Sequence, residues 1–259
     1  MKSVQSPKLR ITLFLLVLAA TLAVLSRAPL MAADPEDRPS GFGFHAPRIF
    51  IGGHMGMNFP RAKSDFFDMT TRELTLERKD FRTEIYGFDF GVPFHANFAA
   101  VASFDYGRAT KRSEVRDFVE ENGDPIVQKT RFSQYSFVGT LRFYPIKIGE
   151  TVGSYAWVPA RVLPYVGAGA GVVHYNLRQY GDFVDTETYN IFTTSMDSRG
   201  SGLAKHVAGG MDIAINSRLV INVEARYSWA KPDLAYDFVG FDPIDLDGLK
   251  VLGGIYFRF

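Results

Sequence analysis

Apolar residues in this chain recur at every second position, in short runs separated by polar or Pro/Gly-rich stretches, and that period predicts strands. The clearest run is 218–229. Leu219, Ile221, Val223, Ala225, Tyr227 and Trp229 share one face, and Arg218, Asn222, Glu224, Arg226 and Ser228 share the other. A helix at 3.6 residues per turn would mix the two sets. Segment 83–92 sets Tyr86, Phe88, Phe90 and Val92 against Thr83, Gly87, Asp89 and Gly91. Segment 97–107 sets Phe98, Ala100, Ala102, Phe104 and Tyr106 against Asn97, Ser103, Asp105 and Gly107. Segment 133–144 sets Tyr135, Phe137, Leu141 and Phe143 against Gln134, Ser136, Thr140 and Arg142.

Four further segments alternate with more glycine. They are 48–58 (Ile49, Ile51, Met55 and Met57 against Gly52, His54, Gly56 and Asn58), 163–175, 203–215 (with His206 and Asp212 on the polar face) and 249–259. The last sets Leu249, Val251, Ile255, Phe257 and Phe259 against Lys250, Gly254, Tyr256 and Arg258. Eight segments of about ten residues have the length of tilted membrane-crossing strands. The fold expected is all-β, an eight-stranded antiparallel up-and-down transmembrane β-barrel over residues 47–259. Closure removes strand edges that lipid could not satisfy. Inward glycines suit so narrow a barrel. An exported soluble β-sandwich is the competing architecture.

The connections support the barrel. Stretches 59–82, 108–132, 176–202 and 230–248 are long, whereas 93–96 and 216–217 are short. Long loops on one side and short turns on the other is the outer-membrane pattern. Residues 145–162, with Trp157 and two prolines, break it. They read as an ordered periplasmic flap or as an earlier start of the fifth strand. Tyr227 and Trp229, Phe104 and Tyr106, and Phe257 and Phe259 fall where interfacial aromatic girdles belong.

Composition sharpens this picture. Phe and Tyr number 23 and 12, and Gly 24, yet mean hydropathy is only −0.03. One apolar and one polar face per strand average to that value. There is no cysteine, so no disulfide framework or thiolate zinc site exists. Residues 1–33 begin with Lys2, Lys8 and Arg10, continue through an apolar run from Ile11 to Leu25, and end in Ala32-Ala33. This is the layout of a secretory signal peptide, too short to span a bilayer at ~20 residues. Cleavage is expected after Ala33, with 34–46 a flexible lead-in. Removing the four basic residues of that segment takes the net charge from +1 to −3. Nothing in this balance suggests a nucleic-acid partner.

The ending Gly253-Gly254-Ile255-Tyr256-Phe257-Arg258-Phe259 resembles the C-terminal strand of bacterial outer-membrane barrels. Pro164 to Gly171 is similar to the fifth-strand region of the small OmpA-like and OmpW-like barrels. The resemblance covers residues 47–259. It implies location in the outer membrane, contact with its lipid and lipopolysaccharide, and delivery by the barrel-assembly machinery, which reads Ile255, Phe257 and Phe259. With the chain stopping at Phe259, no peptidoglycan-binding domain of the OmpA type is expected.

The candidate chemistry lies on the inward face: Asp89, Asp105, Arg142, Asp212, Glu224, Arg226, Lys250 and Arg258. Charges of both signs in one narrow lumen read as an ion-paired plug. The functional alternative is a gate whose partners switch to open a conduction path. The five histidines, His45, His54, His95, His174 and His206, have no paired metal spacing. Some eight-stranded barrels are lipid A-modifying hydrolases using His, Ser and an acid. Here His206 has a nearby Ser in sequence, Ser201, His54 has none within five residues, and no serine-elbow motif occurs. The loop acids Asp117, Glu120, Glu121 and Asp124 read as a solvated run around the turn signal Asn122-Gly123, without the other ligands of a calcium loop. No cofactor or metal is expected. The loop residues Phe66, Phe67, Phe118, Val119, Phe183, Tyr189, Phe192, Phe238 and Phe241 read as interiors of hairpins rising above the membrane, or otherwise as a surface for an extracellular ligand. The first functional reading is a non-enzymatic envelope protein with a largely plugged lumen. A narrow conduit for small solutes or hydrophobic compounds, of the OmpW-like kind, is the second, and a lipid A hydrolase the third.

Overall fold

The computed structural model describes residues 46–259 apart from 121–122, 153–155, 186–187, 189 and 239. The segments read as signal peptide and lead-in, except Ala46, lie outside the described residues, as do His45, Glu121, Asn122 and Tyr189. The eight expected strands are present: β1 (Phe50–Pro60), β2 (Thr83–His95), β3 (Phe98–Val119), β4 (Pro125–Phe143), β7 (Val162–Val184), β8 (Ile191–Ala214), β9 (Leu219–Ala230) and β10 (Gly248–Arg258). Each pairs antiparallel with its sequence neighbour among these eight, and β10 returns to β1. The sheet is therefore a closed barrel, which excludes the sandwich.

The closing register sets Phe50 opposite Arg258 and Pro60 opposite Gly248. Phe259 extends the seam by backbone alone: its carbonyl accepts from the Arg48 N–H at 2.6 Å and its N–H donates to the Ile49 carbonyl at 2.9 Å.

Alternation along each strand carries through to burial. On β10 every second residue from Gly248 to Arg258 is buried and every other one is exposed. Ile51, Met55, Phe88, Phe137, Leu141, Val166, Leu203, Val223, Ile255 and Phe257 all face outward with much of their surface uncovered. An apolar belt of this extent is stable only against lipid. The chain thus crosses a membrane by strands, and among the described residues no helix is long and apolar enough to do so. Lys205 interrupts the belt on β8 opposite Trp229, with a stem long enough to carry its ammonium to the interface.

Two expected loops are largely strand. β3 and β4 pair from Phe98–Phe143 as far as Val119–Pro125, and β7 and β8 pair without a break from Val162–Ile213 to Val184–Ile191. These hairpins rise well past the belt and carry Phe118, Val119, Phe183 and Phe192, but Phe118, Val119 and Phe192 are exposed on them and not interior. Phe66, Phe67 and Phe238 are different, because the stretches that hold them do not form hairpins. Residues 61–82 fold into α1 (Asp65–Glu73) and a 3-10 turn (Arg78–Phe81), and the described residues of 231–247 are irregular apart from a short 3-10 turn (Tyr236–Phe238). Phe66 and Phe67 are fully buried. Phe67 packs edge-on to Phe81 at 4.8 Å and Phe66 to Phe238 at 5.4 Å. The two crossings are stitched together: the Arg61 N–H donates to the Asp247 carbonyl at 2.7 Å, and the Lys63 N–H to Asp245 Oδ2 at 3.2 Å. They form an apolar cap over the barrel mouth. Period-two reading misses it because a cap residue is buried by crossing chains and not by strand parity.

The irregular connection is a separate hairpin of β5 (Gly149–Val152) and β6 (Ala156–Pro159). It is the flap, and the fifth barrel strand starts at Val162. Trp157 is buried in one apolar cluster with Phe50, Tyr144, Ile148, Leu163, Tyr165 and Tyr256.

Candidate functional site

The lumen has three layers. Next to the flap is the aromatic cluster just described. Under the extracellular cap is a second apolar cluster, in which Phe66, Phe67, Leu76 and Ile244 meet Phe132, Tyr175 and Leu177 from the hairpins. Between them lies a polar layer of side chains from β1, β2, β3, β4, β8, β9 and β10.

Parity places these polar groups inward, and small residues give them room. A Cβ on Gly87 would lie 2.3 Å from His54 Nε2, and one on Gly52 2.0 Å from Tyr256 Cδ1. Both glycines therefore mark places where a large side chain from the neighbouring strand lies across the backbone.

All eight sequence-selected charges are buried. Four are acids and four are bases, so the formal sum, 4 − 4, is zero with histidine counted neutral. Glu224 is the hub: it accepts from Arg142 at 2.7 Å, from Arg226 at 2.7 Å and from the Tyr165 hydroxyl at 2.7 Å. Asp105 is the second hub, reached by Lys250 at 2.6 Å, Arg226 at 3.4 Å and Ser136 at 3.1 Å. His54, missing from the sequence-selected set, joins that hub to Asp89, with Nε2 3.0 Å from Asp105 and Nδ1 2.7 Å from Asp89. Asp89 also accepts from Ser103 at 2.5 Å and Tyr256 at 2.9 Å. The Arg142 guanidinium lies 4.4 Å from the Tyr165 ring centre. Buried charges are tolerated when each has partners of this kind.

Two of the eight stand apart from the ion pairs. Asp212 accepts hydrogen bonds from Tyr144 at 3.0 Å and Asn222 at 2.7 Å. Arg258 faces the Trp157 ring at 5.8 Å and has no carboxylate within salt-bridge distance among the described residues. The inward positions of His54, Asn222, Tyr165 and Tyr256 follow from parity, but their role as connectors depends on which strands face each other across the lumen.

Two small cavities adjoin this layer. One small cavity at the flap end, lined by Phe50, Tyr144, Asp212 and Arg258 among others, and one beside Asp105, Ser136 and Lys250, each hold about 10 Å³. That is room for about one water molecule.

Outside the lumen the Ser–His pairing differs from the sequence expectation. His206 faces inward and bonds to Thr140 at 2.9 Å. Ser201 instead bonds to His174 on the facing strand, whose ring stacks on Tyr135 at 4.8 Å. Among the described residues no carboxylate is within hydrogen-bonding reach of His174, so a catalytic triad is incomplete. Nor do His, Asp and Glu side chains gather into a metal-binding group among those residues.

No protein-family model matches the chain, and no curated protein does. Solved structures do resemble it. The outer membrane protein OprG from Pseudomonas aeruginosa is 15% identical at a TM-score of 0.46, covering 84% of this chain and 98% of that one. Neisserial surface protein A is 11% identical at 0.44, covering 82% and 96%. The attachment invasion locus protein of Yersinia pestis is 14% identical at 0.44, covering 82% and 99%. At these values the matches carry no argument about activity.

Proposed function

We propose that this chain, a small outer-membrane β-barrel, is a non-enzymatic and non-conducting component of the bacterial envelope that presents two tall hairpins beside a rigid extracellular cap. Its surroundings are outer-membrane lipid and lipopolysaccharide, and Ile255, Phe257 and Phe259 on the outward face of the seam region serve as its recognition signal for barrel assembly. The carrying observation is the three-layer lumen, in which an apolar cap, a charge-balanced network and an aromatic flap cluster follow one another, and the two small cavities beside the network each have room for about one water. A gate of switching ion pairs needs a place for the displaced side chain and its water. Here Arg226 is held by Glu224 and Asp105, and Arg142 by Glu224 and the Tyr165 ring with its Nε and Nη1 buried without a hydrogen-bond partner, and neither of the two small cavities is lined by Arg142 or Arg226.

The test is single-channel recording on the refolded full chain in planar bilayers. Current at the level of the protein-free bilayer is expected. Reproducible conductance steps that persist in independent preparations would overturn the sealed-lumen reading in favour of a conduit. For the enzymatic alternative, lipid A from expressing cells should keep its acyl pattern by mass spectrometry. Loss of an acyl chain that depends on Ser201 would make this chain a hydrolase.

A further inference from the structure

The outward faces of β3, β4, β7 and β8 change character at one cross-strand row. Below it they carry Phe104, Phe137, Val172 and Leu203; the row itself is Tyr106, Tyr135, His174 and Ser201. Beyond it, moving towards the hairpin tips, come Arg108 and Arg112 on β3, Lys129 and Arg131 on β4, Arg178 on β7 and Arg199 on β8. At about 3.3 Å per residue these cations lie roughly 7 to 20 Å along the strands past the row. This is the depth of lipid headgroups, not of the acyl chains.

The cations outnumber their acids. On the same faces beyond the row the carboxylates are Glu114, Asp182 and Asp197, leaving 6 − 3 = +3. Asp197 lies 3.6 Å from Arg178 and 3.8 Å from Arg199, while Asp182 accepts from Thr193 at 2.6 Å. Arg108, Arg112, Lys129 and Arg131 have no ion pair among the described residues. Three cations crowd one ring: Lys129, Arg131 and Arg178 lie 5.9, 6.0 and 5.8 Å from the centre of Tyr180. Arg131 Nε is buried without an acceptor. Like charges gathered beside an unsatisfied donor are stabilised by an anion that supplies oxygens to several of them, and guanidinium groups match phosphate geometry in pairs. The strands β1, β2, β9 and β10 end near the row, with Glu84 their only outward charge and Arg61, Lys63, Arg82 and Lys231 exposed just past their ends, but among the described residues only Tyr180 gathers three cations on one ring.

We infer that this flank of the barrel binds the phosphate groups of the outer-leaflet glycolipid, taking lipopolysaccharide through its lipid A and inner-core phosphates. The inference rests on the membrane placement argued above. The cations span β3 to β8, so one lipid would bridge the two tall hairpins and tie their bases together.

The experiment uses the refolded full chain and titrates it with bisphosphorylated lipid A or with enzymatically dephosphorylated lipid A, in the same detergent at 0.1 M salt. Each protein is first checked for a boiling-dependent gel shift. Failure of the wild type to show it, or to insert into vesicles, would overturn the membrane placement itself and is read separately. The bisphosphorylated form should bind at least tenfold tighter. R108Q/K129Q/R131Q/R178Q should abolish that preference, the corresponding arginine-to-lysine set with Lys129 retained should keep most of it, and R72Q/R78Q/K147Q, which removes cations elsewhere, should leave it intact. Equal affinity for the two lipids, or a quadruple glutamine variant that still discriminates, would overturn the proposal. Complete displacement by inorganic phosphate at low millimolar concentration, or tighter binding of a soluble sulfated polysaccharide than of lipid A, would overturn the lipid assignment in favour of those ligands.

Discussion

Glu224→Gln is the sharpest probe of the lumen. The substitution keeps the shape of the side chain and removes its charge, leaving Arg142 and Arg226, each 2.7 Å from a Glu224 oxygen, without that counter-ion. Arg226 retains Asp105 at 3.4 Å; Arg142 retains aromatic rings and no carboxylate within salt-bridge distance. Breaking one side of a buried pair costs about 3–5 kcal/mol, because the remaining charge stays desolvated. With a urea slope of about 2 kcal/mol per molar, a loss of 4 kcal/mol moves the unfolding midpoint down by about 2 M. The assay is urea unfolding of vesicle-inserted protein, followed by the boiling-dependent gel shift. The double variant Arg142→Met/Glu224→Leu removes one charge of each sign and should lie within about 2 kcal/mol of wild type. A coupling of about 2 kcal/mol or more between the two sites is therefore expected. A cost below about 1 kcal/mol for Glu224→Gln would refute the reasoning, since it would mean that water already solvates these guanidiniums and the layer is wet.

Further outcomes follow from the seam, the cap and the close approaches. Deleting Phe259 removes an outward aromatic and the backbone bonds to Arg48 and Ile49, so the yield of folded protein should fall far below that of Phe118→Ser at a hairpin tip; equal yields would count against the seam's role in assembly. Phe67→Ala empties a fully buried site between Phe66 and Phe81 and should cost about 3–5 kcal/mol. Because the cap is a unit separate from the barrel ladder, it should first show as faster proteolysis within residues 61–82, and an unchanged cleavage rate would argue that the cap does not open locally. Gly87→Leu should prevent folding, because its Cβ would meet the Phe104 carbonyl at 2.2 Å and the His54 ring at 2.3 Å, whereas Gly53→Ala should be tolerated, its nearest neighbour lying at 3.8 Å. Folded Gly87→Leu protein at wild-type yield would show that the β3 backbone at Phe104 and the His54 ring can both give way.

The sequence by itself determined the strand count, the face of each residue within the barrel wall and the membrane-facing belt. The reason is that a strand's period of two is local. Val223 must point away from Glu224 whatever lies across the barrel. It also selected the eight lumen charges, because polar residues inside a lipid-bounded wall have nowhere else to face. Tertiary structure alone decided which of them meet. Arg142 and Glu224 are 82 positions apart, and Lys250 and Asp105 145 apart. Their contact depends on barrel closure and register, and so does the bridging place of His54. Arg258 has the right parity but lies at the flap end, where Trp157 is its neighbour. The cap lay furthest from view. Phe66 and Phe67 are consecutive and both buried, which no alternation predicts, because two chain crossings enclose them from different sides. The basic flank was legible residue by residue, yet its gathering around Tyr180 emerges only once β4 is placed beside β7 and the outward rows of four strands align.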